Sequence, residues 1–253
     1  MTRDRLIHSE SYTIRSYEAD LKKQVRLSTL IRYMQETAWH HADALEVGYD
    51  DLIADGLIWV LIRLSVKINL YPVLGDNITL YSWPSTKDRL FYMRDFEIRN
   101  ARGEIIASAI TSWLVMDAQK RRPASADFIS DLHCKEFKRS LPEDPAKLPK
   151  LSSPEPSYEM TVKYADLDVN AHVNNARFID FMINGIPIHL FEQRDIEFFE
   201  INIIQEAFHN DRLAVFTQKE DDHTLLLSLT RMSDNADISR ARLVFKNKEG
   251  EGM

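Results

Sequence analysis

The sequence predicts an α+β protein built from two similar units. A helical pattern followed by several strand patterns occurs in each half of the 253-residue chain. The halves align at one constant offset, which places Asp20 over Asp168, Val25 over Val173 and Met34 over Met182. A proline-rich stretch separates them. This repeated order of helix and strands indicates a duplicated unit with an antiparallel sheet.

The proline-rich stretch sets the predicted domain boundaries. Each proline ring fixes φ and removes a backbone donor, so neither a helix nor a central strand is expected there. We therefore predict a first unit over residues 1–128, a linker over 129–157 and a second unit over 158–253. The prolines of the linker are Pro142, Pro145, Pro149, Pro154 and Pro156.

Each unit is predicted to hold one amphipathic helix and a set of strands. Strand patterns in the first unit begin near residues 57, 75, 90 and 103, and those of the second near 198, 211, 223 and 237. The apolar residues at helical spacing in the first unit are Leu27, Leu30, Ile31, Met34, Ala38, His41, Ala42 and Leu45. A long helix wrapped by a curved antiparallel sheet is the hot-dog arrangement, so we expect a tandem hot-dog fold.

Composition excludes several classes of protein. Hydrophobic residues make up 44% and charged residues 28% of the chain, which is typical of a globular protein in water. The longest apolar run, at 56–62, is too short to span a membrane. A net charge of −7 argues against nucleic acid as a partner. The single cysteine, Cys134, and an N-terminus without an apolar signal core predict a cytoplasmic protein.

Residues 166–175, with the sequence DLDVNAHVNN, are the strongest candidate for a functional site. In an extended segment Asp168, Asn170 and His172 would share one side. Asn174 and Asn175 follow where a helix should begin, and N–H groups at a helix start can stabilise a developing negative oxygen. The alternative is purely structural: the Asp and Asn side chains cap the helix, and His172 is a hydrogen-bonded loop residue.

These residues resemble the acyl-acyl-carrier-protein (acyl-ACP) thioesterase family. The resemblance rests on DLDVNAHVNN and on the shorter segments IRSYE at 14–18, QETA at 35–38, YP at 71–72 and GD at 75–76. It implies a tandem hot-dog enzyme that hydrolyses fatty acyl-ACP, terminates fatty acid synthesis, and needs no metal or cofactor. Plant members carry an import segment, and its absence here favours a bacterial source.

The resemblance also implies roles for individual residues. Asp168 would orient or polarise the site, and Asn170 would hold the thioester carbonyl or the water. His172 would position and polarise the reacting groups. Glu206 would be the general base, although without the resemblance a charge at a strand end is the simpler interpretation. Ala207 stands where the family has a cysteine.

Substrate binding is assigned by the same resemblance. The first unit would hold the acyl chain, with Leu57, Trp59 and Leu61 in its pocket. Acyl carrier protein is the expected partner, and a homodimer is possible. Two alternatives remain open: an acyl-CoA thioesterase of the same fold, and a non-catalytic protein that binds acyl thioesters.

Three other features have simpler interpretations. His40 and His41 point about 100° apart on a helix, so they make a poor metal site. Trp39, Trp59, Trp83 and Trp113 are expected to pack or to line a pocket. The run from Lys120 to Arg122 is either a solvated strand end or a docking point for the acidic carrier protein.

Overall fold

The computed structural model describes residues 6–124 and 138–247, and the chain divides into unit 1, residues 1–145, and unit 2, residues 146–253. The division falls inside the stretch 129–157 that the sequence predicts as a linker. The start of that predicted linker lies outside the described residues. None of the helices in the described ranges is long and apolar enough to cross a bilayer.

Unit 1 packs a long helix against an antiparallel sheet. Helix α1 spans Leu27–Ala44 and buries the apolar face that its sequence spacing predicts. A short helix, α2, spans Tyr49–Ala54 and was not predicted. The strands, all antiparallel, follow the order β1-β3-β4-β5-β2 across the sheet. Their bounds are β1 His8–Thr13, β2 Leu57–Ile68, β3 Asn77–Asp88, β4 Phe91–Asn100 and β5 Ile105–Asp117.

Unit 2 repeats this plan with a shorter helix. Helix α3 spans Asn175–Asn184, and α4 spans Ile188–Gln193. The antiparallel strands follow the order β7-β10-β9-β8-β6. Their bounds are β6 Glu155–Thr161, β7 Arg194–Ile203, β8 Arg212–Lys219, β9 Thr224–Arg231 and β10 Ala236–Asn247.

The linker prediction fails at its C-terminal end. Strand β6 begins at Glu155 and includes Pro156, although the sequence predicts linker up to residue 157. A proline fits here because β6 pairs with β8 at the end of the strand order, and the register shifts between Pro156 and Tyr158. An edge strand with a bulge tolerates the missing donor.

The duplication extends to single hydrogen bonds. The amide of Asp20 donates to the carbonyl of Gln24 at 2.7 Å, and the amide of Asp168 donates to the carbonyl of His172 at 2.8 Å. Each turn also contains a left-handed residue, with φ of 62° at Lys23 and 60° at Ala171. The two units therefore contain the same loop, and only unit 2 carries the motif of the candidate site.

Candidate active site

The motif folds into a tight turn between the 3₁₀ turn Tyr164–Asp166 and α3. A β-bridge joins Leu167 to Val173, and the residues between them form the turn. The Asp168 carboxylate accepts a hydrogen bond from the amide of Asn170 at 2.9 Å. Asp168 therefore shapes the turn through an Asx-type bond.

The expected extended segment is wrong. Because the chain reverses between Asp168 and His172, with a left-handed residue at Ala171, the alternation of side chains does not hold. Asn170 is exposed at the turn, while Asp168 and His172 are partly buried. The three residues still share one short loop, but the turn and not strand geometry brings them there.

His172 and Glu206 come together from two separate loops. The Nδ1 atom of His172 lies 3.5 Å from Oε1 of Glu206. Their side chains are 27% and 31% exposed, so both reach solvent and are also partly covered. The ring of Phe208 contacts His172 edge-on, with the ring centroids 5.1 Å apart. The pair is therefore accessible to a water molecule and held by an aromatic neighbour.

The β7–β8 loop, residues 204–211, is fixed by the backbone. The amide of Val173 donates to the carbonyl of Ala207 at 2.9 Å, which joins this loop to the motif. The Asp211 carboxylate accepts from the amide of Phe208 at 3.0 Å. Sequence reasoning missed Phe208 and Asp211. Comparing GD at 75–76 with ND at 210–211 would have indicated the same turn in both units.

Asn174 and Asn175 lie at the predicted start of α3. The Asn174 side chain caps the helix by accepting from the amide of Ala176 at 2.9 Å. The Asn174 amide donates to the carbonyl of Asp166 at 3.0 Å, and the amide of Arg177 donates to the carbonyl of Asn174 at 2.8 Å. Of the four amides 174–177, only that of Asn175 has no hydrogen-bond acceptor among the described residues.

An ion pair braces this helix start. The buried Asp166 carboxylate accepts from Nε of Arg177 at 3.0 Å and from its Nη2 at 2.6 Å. It also accepts from the amide of Lys163 at 2.8 Å. Burial of the Arg177 guanidinium lowers its pKa, but bonding to Asp166 and to Asp180 outweighs this, so the pKa is raised. The Arg177 guanidinium therefore stays positively charged.

The equivalent loop of unit 1 lacks the chemical groups. Gln24 corresponds to His172, and Lys22 corresponds to Asn170. The amide of Val25 donates to the carbonyl of Pro72 at 2.9 Å, as that of Val173 does to Ala207. This matches Tyr71, the residue before Pro72, with Glu206. Unit 1 therefore has the scaffold of the site without an imidazole and carboxylate pair.

The residues assigned to acyl binding lie on β2 of unit 1. Leu57 and Trp59 pack, partly buried, on a cluster whose buried members are Leu45, Val47, Leu52, Tyr92 and Val115. The indole Nε1 of Trp59 donates to the carbonyl of Val47 at 2.9 Å. The Trp59 ring contacts Trp113 edge-on at 6.5 Å. Leu61 is buried further along β2.

The remaining tryptophans differ in environment. Trp83 is buried on β3, whereas Trp39 is 44% exposed on α1 and stacks on Tyr49 with ring centroids 5.7 Å apart. The four indoles therefore do not form one continuous surface.

Both histidines of α1 contact protein side chains. His40 Nδ1 lies 2.6 Å from Glu10, and the buried His41 has its Nδ1 2.9 Å from Nη1 of Arg94. Among the described residues, no three His, Cys, Asp or Glu side chains are grouped closely enough to hold a metal ion. Lys120 lies 3.4 Å from Asp117 at an exposed strand end. Cys134 lies outside the described residues.

Sequence comparison assigns the family. A model of the acyl-ACP thioesterase N-terminal domain matches residues 5–131, and a model of the C-terminal domain matches residues 152–250. The chain belongs to the acyl-ACP thioesterase family. The motif at 166–175 therefore predicted the correct family.

Two plant members illustrate the similarity. A chloroplastic palmitoyl-acyl carrier protein thioesterase of Gossypium hirsutum is 28% identical over 274 residues, which cover 99% of this chain and 66% of that protein. A chloroplastic acyl-(acyl-carrier-protein) hydrolase of Cuphea viscosissima is 29% identical over 256 residues, which cover 94% of this chain and 62% of that protein. The chain thus spans slightly less than two thirds of the length of these curated acyl-ACP thioesterases.

Solved acyl-ACP thioesterases share the fold. The enzyme from Bacteroides thetaiotaomicron superposes with a TM-score of 0.90 at 24% identity, covering 97% of this chain and 100% of that chain. The 12:0-ACP thioesterase from Umbellularia californica superposes with a TM-score of 0.85 at 23% identity, covering 96% of this chain and 98% of that chain. The predicted α+β tandem hot-dog fold is confirmed.

Proposed function

We propose that this protein hydrolyses fatty acyl-ACP thioesters to free fatty acid and holo-ACP, the reaction that terminates fatty acid synthesis. The observation that carries the proposal is the contact between His172 and Glu206, with Nδ1 and Oε1 3.5 Å apart, in a chain of the acyl-ACP thioesterase family. Related plant proteins are named as acyl-ACP thioesterases and hydrolases, which supports the same reaction here.

Glu206 is the general base for a water nucleophile in this proposal. The carboxylate takes a proton as the water oxygen attacks the thioester carbonyl carbon, and the carbonyl oxygen becomes negative. When the tetrahedral intermediate collapses, the C–S bond breaks and the pantetheine sulfur leaves. Glu206 returns the proton to that sulfur, so the products are a carboxylic acid and a free thiol.

In this proposal His172 positions and polarises the water or the substrate. A proton on Nδ1 would be directed at Glu206, which leaves Nε2 to contact the water or the substrate. Phe208 restricts the ring, because its edge-on contact covers one side of the imidazole. The combined effect is a carboxylate and an imidazole held in one orientation before substrate arrives.

The helix start of α3 supplies the oxyanion contact in this proposal. The amides of residues 174, 176 and 177 already have acceptors, whereas that of Asn175 has none in the described ranges 6–124 and 138–247, so it is available to the substrate oxygen. A main-chain donor at a helix N-terminus favours negative charge. Asp168 shapes the turn before the helix, and exposed Asn170 contacts the thioester or the water.

The acyl chain binds in unit 1 in this proposal. The support is the apolar and aromatic cluster on which Leu57 and Trp59 pack, together with the loss of the polar groups from the unit 1 loop. Leu61, buried on the same strand, is assigned to the pocket with them. Side chains of this cluster would therefore set the preferred acyl length.

Acyl carrier protein is the proposed partner, a bacterial cytoplasm the proposed location, and a homodimer the proposed assembly. The similarity to a bacterial structure supports the source, although the curated plant relatives are chloroplastic. Lys120, Arg121 and Arg122 offer an exposed basic segment to the acidic carrier protein.

The test is hydrolysis of a matched panel of acyl-ACP and acyl-CoA thioesters by the purified full chain. We expect the highest kcat/KM with acyl-ACP substrates. The panel includes both classes because they present the same phosphopantetheine arm. A preference for acyl-CoA would support the acyl-CoA thioesterase alternative. Binding of acyl-ACP without hydrolysis would instead identify a non-catalytic acyl-thioester protein.

A further inference from the structure

Arg231, the last residue of β9, reaches across to the loop that carries Glu206. Its Nη2 donates to the side-chain oxygen of Gln205 at 3.1 Å and to the main-chain carbonyl of Glu206 at 3.3 Å. The side chain is only 17% exposed. A partly buried guanidinium therefore binds the backbone of the residue to which we assign the general base.

Two carboxylates lie near the guanidinium, at distances longer than a hydrogen bond. Nη1 of Arg231 lies 3.8 Å from Oδ2 of Asp211, and Nε lies 3.6 Å from Oδ1 of Asp234. Asp211 also accepts from the amide of Phe208, so it belongs to the same loop as Glu206. The planar fork of an arginine can join these groups at fixed angles, whereas an ammonium group cannot.

Unit 1 lacks this arrangement, because Asn100 stands at the position equivalent to Arg231. Asn100 is the last residue of β4 and pairs with Ile78, as Arg231 is the last residue of β9 and pairs with Leu213. The neighbouring Arg99 bonds Glu97 at 2.6 Å and lies over the ring of Tyr81 at 5.1 Å. The arginine contact with a loop backbone thus accompanies the unit that has the imidazole and carboxylate pair.

We propose that Arg231 is a positioning residue that fixes the direction in which Glu206 points toward His172. The inference rests on the proposed function, because Glu206 is the base of that reaction. Nη2 binds the carbonyl of Glu206 and the side chain of Gln205, so it restrains the peptide that follows the Glu206 Cα. A carboxylate displaced by about 1 Å can lower the rate about 10²-fold.

Two substitutions separate charge from geometry. Arg231→Met removes both the fork and the charge, and we expect kcat to fall roughly 10- to 100-fold with KM changed less than about twofold. Arg231→Lys keeps a positive charge between Asp211 and Asp234 and should recover only part of kcat. Arg99→Met, which removes an arginine near the end of β4 in unit 1, is the control and should retain the wild-type kcat. Wild-type kcat in both Arg231 variants would overturn the proposal.

A double-mutant cycle tests whether Arg231 acts through Glu206. In a Glu206→Gln background the base is absent, so adding Arg231→Met should lower kcat by less than about twofold further. A purely structural role would give the full loss again in the double variant, since the two effects would multiply. That multiplicative result would also overturn the proposal.

Hydrogen exchange gives a measurement that does not depend on activity. Peptides covering residues 204–211 should exchange faster in Arg231→Met than in the wild type, and Arg99→Met should leave them unchanged. Unaltered exchange in Arg231→Met would contradict the anchoring. If the wild type hydrolyses no acyl thioester while exchange still rises in Arg231→Met, the proposed function fails and the anchoring contact stands.

Discussion

The Nδ1 atom of His172 lies 3.5 Å from Oε1 of Glu206, although α3, α4 and β7 separate the two residues in the chain. A main-chain bond of 2.9 Å from Val173 to Ala207 holds the two loops together beside this contact. Because neither partner of that bond is a side chain, substitutions of Glu206 or His172 should leave the loops in place. The chemistry of the pair can therefore be tested without dismantling it.

Removing the amide N–H of Asn175 tests the oxyanion contact. Asn175→Pro removes this N–H at the first position of α3, where proline is well tolerated. Asn174 already has ψ of 137°, which suits the residue before a proline. We expect kcat to fall about 10²- to 10³-fold, the effect of losing one oxyanion donor. The control Asn175→Ala keeps the N–H, so a comparable loss in that variant would contradict the assignment.

The preferred acyl chain length should depend on the side chains of the cluster around Trp59. Leu57→Phe fills space beside this partly buried cluster, so the longest acyl chains that the wild type accepts should lose roughly 10-fold in kcat/KM, equivalent to about two methylene groups. Gas chromatography of the released fatty acids measures the shift toward shorter products. The exposed Leu70 provides the control substitution Leu70→Phe. An unchanged product profile in Leu57→Phe would contradict the assignment of the acyl pocket to this cluster.

Glu10 should make the protein sensitive to acid. Desolvation raises the pKa of Glu10, but hydrogen bonds from Tyr12, His8 and His40 outweigh it and lower the pKa from 4.5 to about 2. A carboxyl with a depressed pKa stabilises the fold above pH 4.5, and this contribution is lost as pH falls toward 2.

Thermal unfolding at several pH values checks this. Glu10→Gln should lower Tm at pH 7 and flatten the decline between pH 4.5 and 2. The exposed Glu159 supplies a control, Glu159→Gln, that should follow the wild-type curve. An acid profile of Glu10→Gln that parallels the wild type would show that the network contributes nothing.

The fold was predictable because its signals are local and repeated. The apolar spacing from Leu27 to Leu45 determines α1, and the match between the two halves of the sequence is enough to reveal the second unit. The short helix α2 and the early start of β6 were not predictable in this way. Pro156 indicates a linker by local rules, and only its place on an edge strand makes it acceptable.

The sequence suggested residues for the candidate site but did not predict its geometry. The motif around His172 is specific, but the alternation of Asp168, Asn170 and His172 suggested an extended segment where the chain forms a turn. The hydrogen bond from the Asn170 amide to the Asp168 carboxylate favours the turn over the extended segment. Arg231 could not be found from a motif, because its contact with the Glu206 loop depends on the register of β9 and β10.

The most direct test of the central claim compares Glu206→Gln with Cys134→Ser in acyl-ACP hydrolysis. Ala207 offers no thiol beside Glu206, and Cys134 is the only cysteine in the chain. The account predicts that Glu206→Gln loses about 10² to 10⁴ in kcat, the usual contribution of a positioned general base. Cys134→Ser should retain the wild-type rate. Undiminished turnover in Glu206→Gln, or a trapped acyl group on Cys134, would contradict direct attack by water.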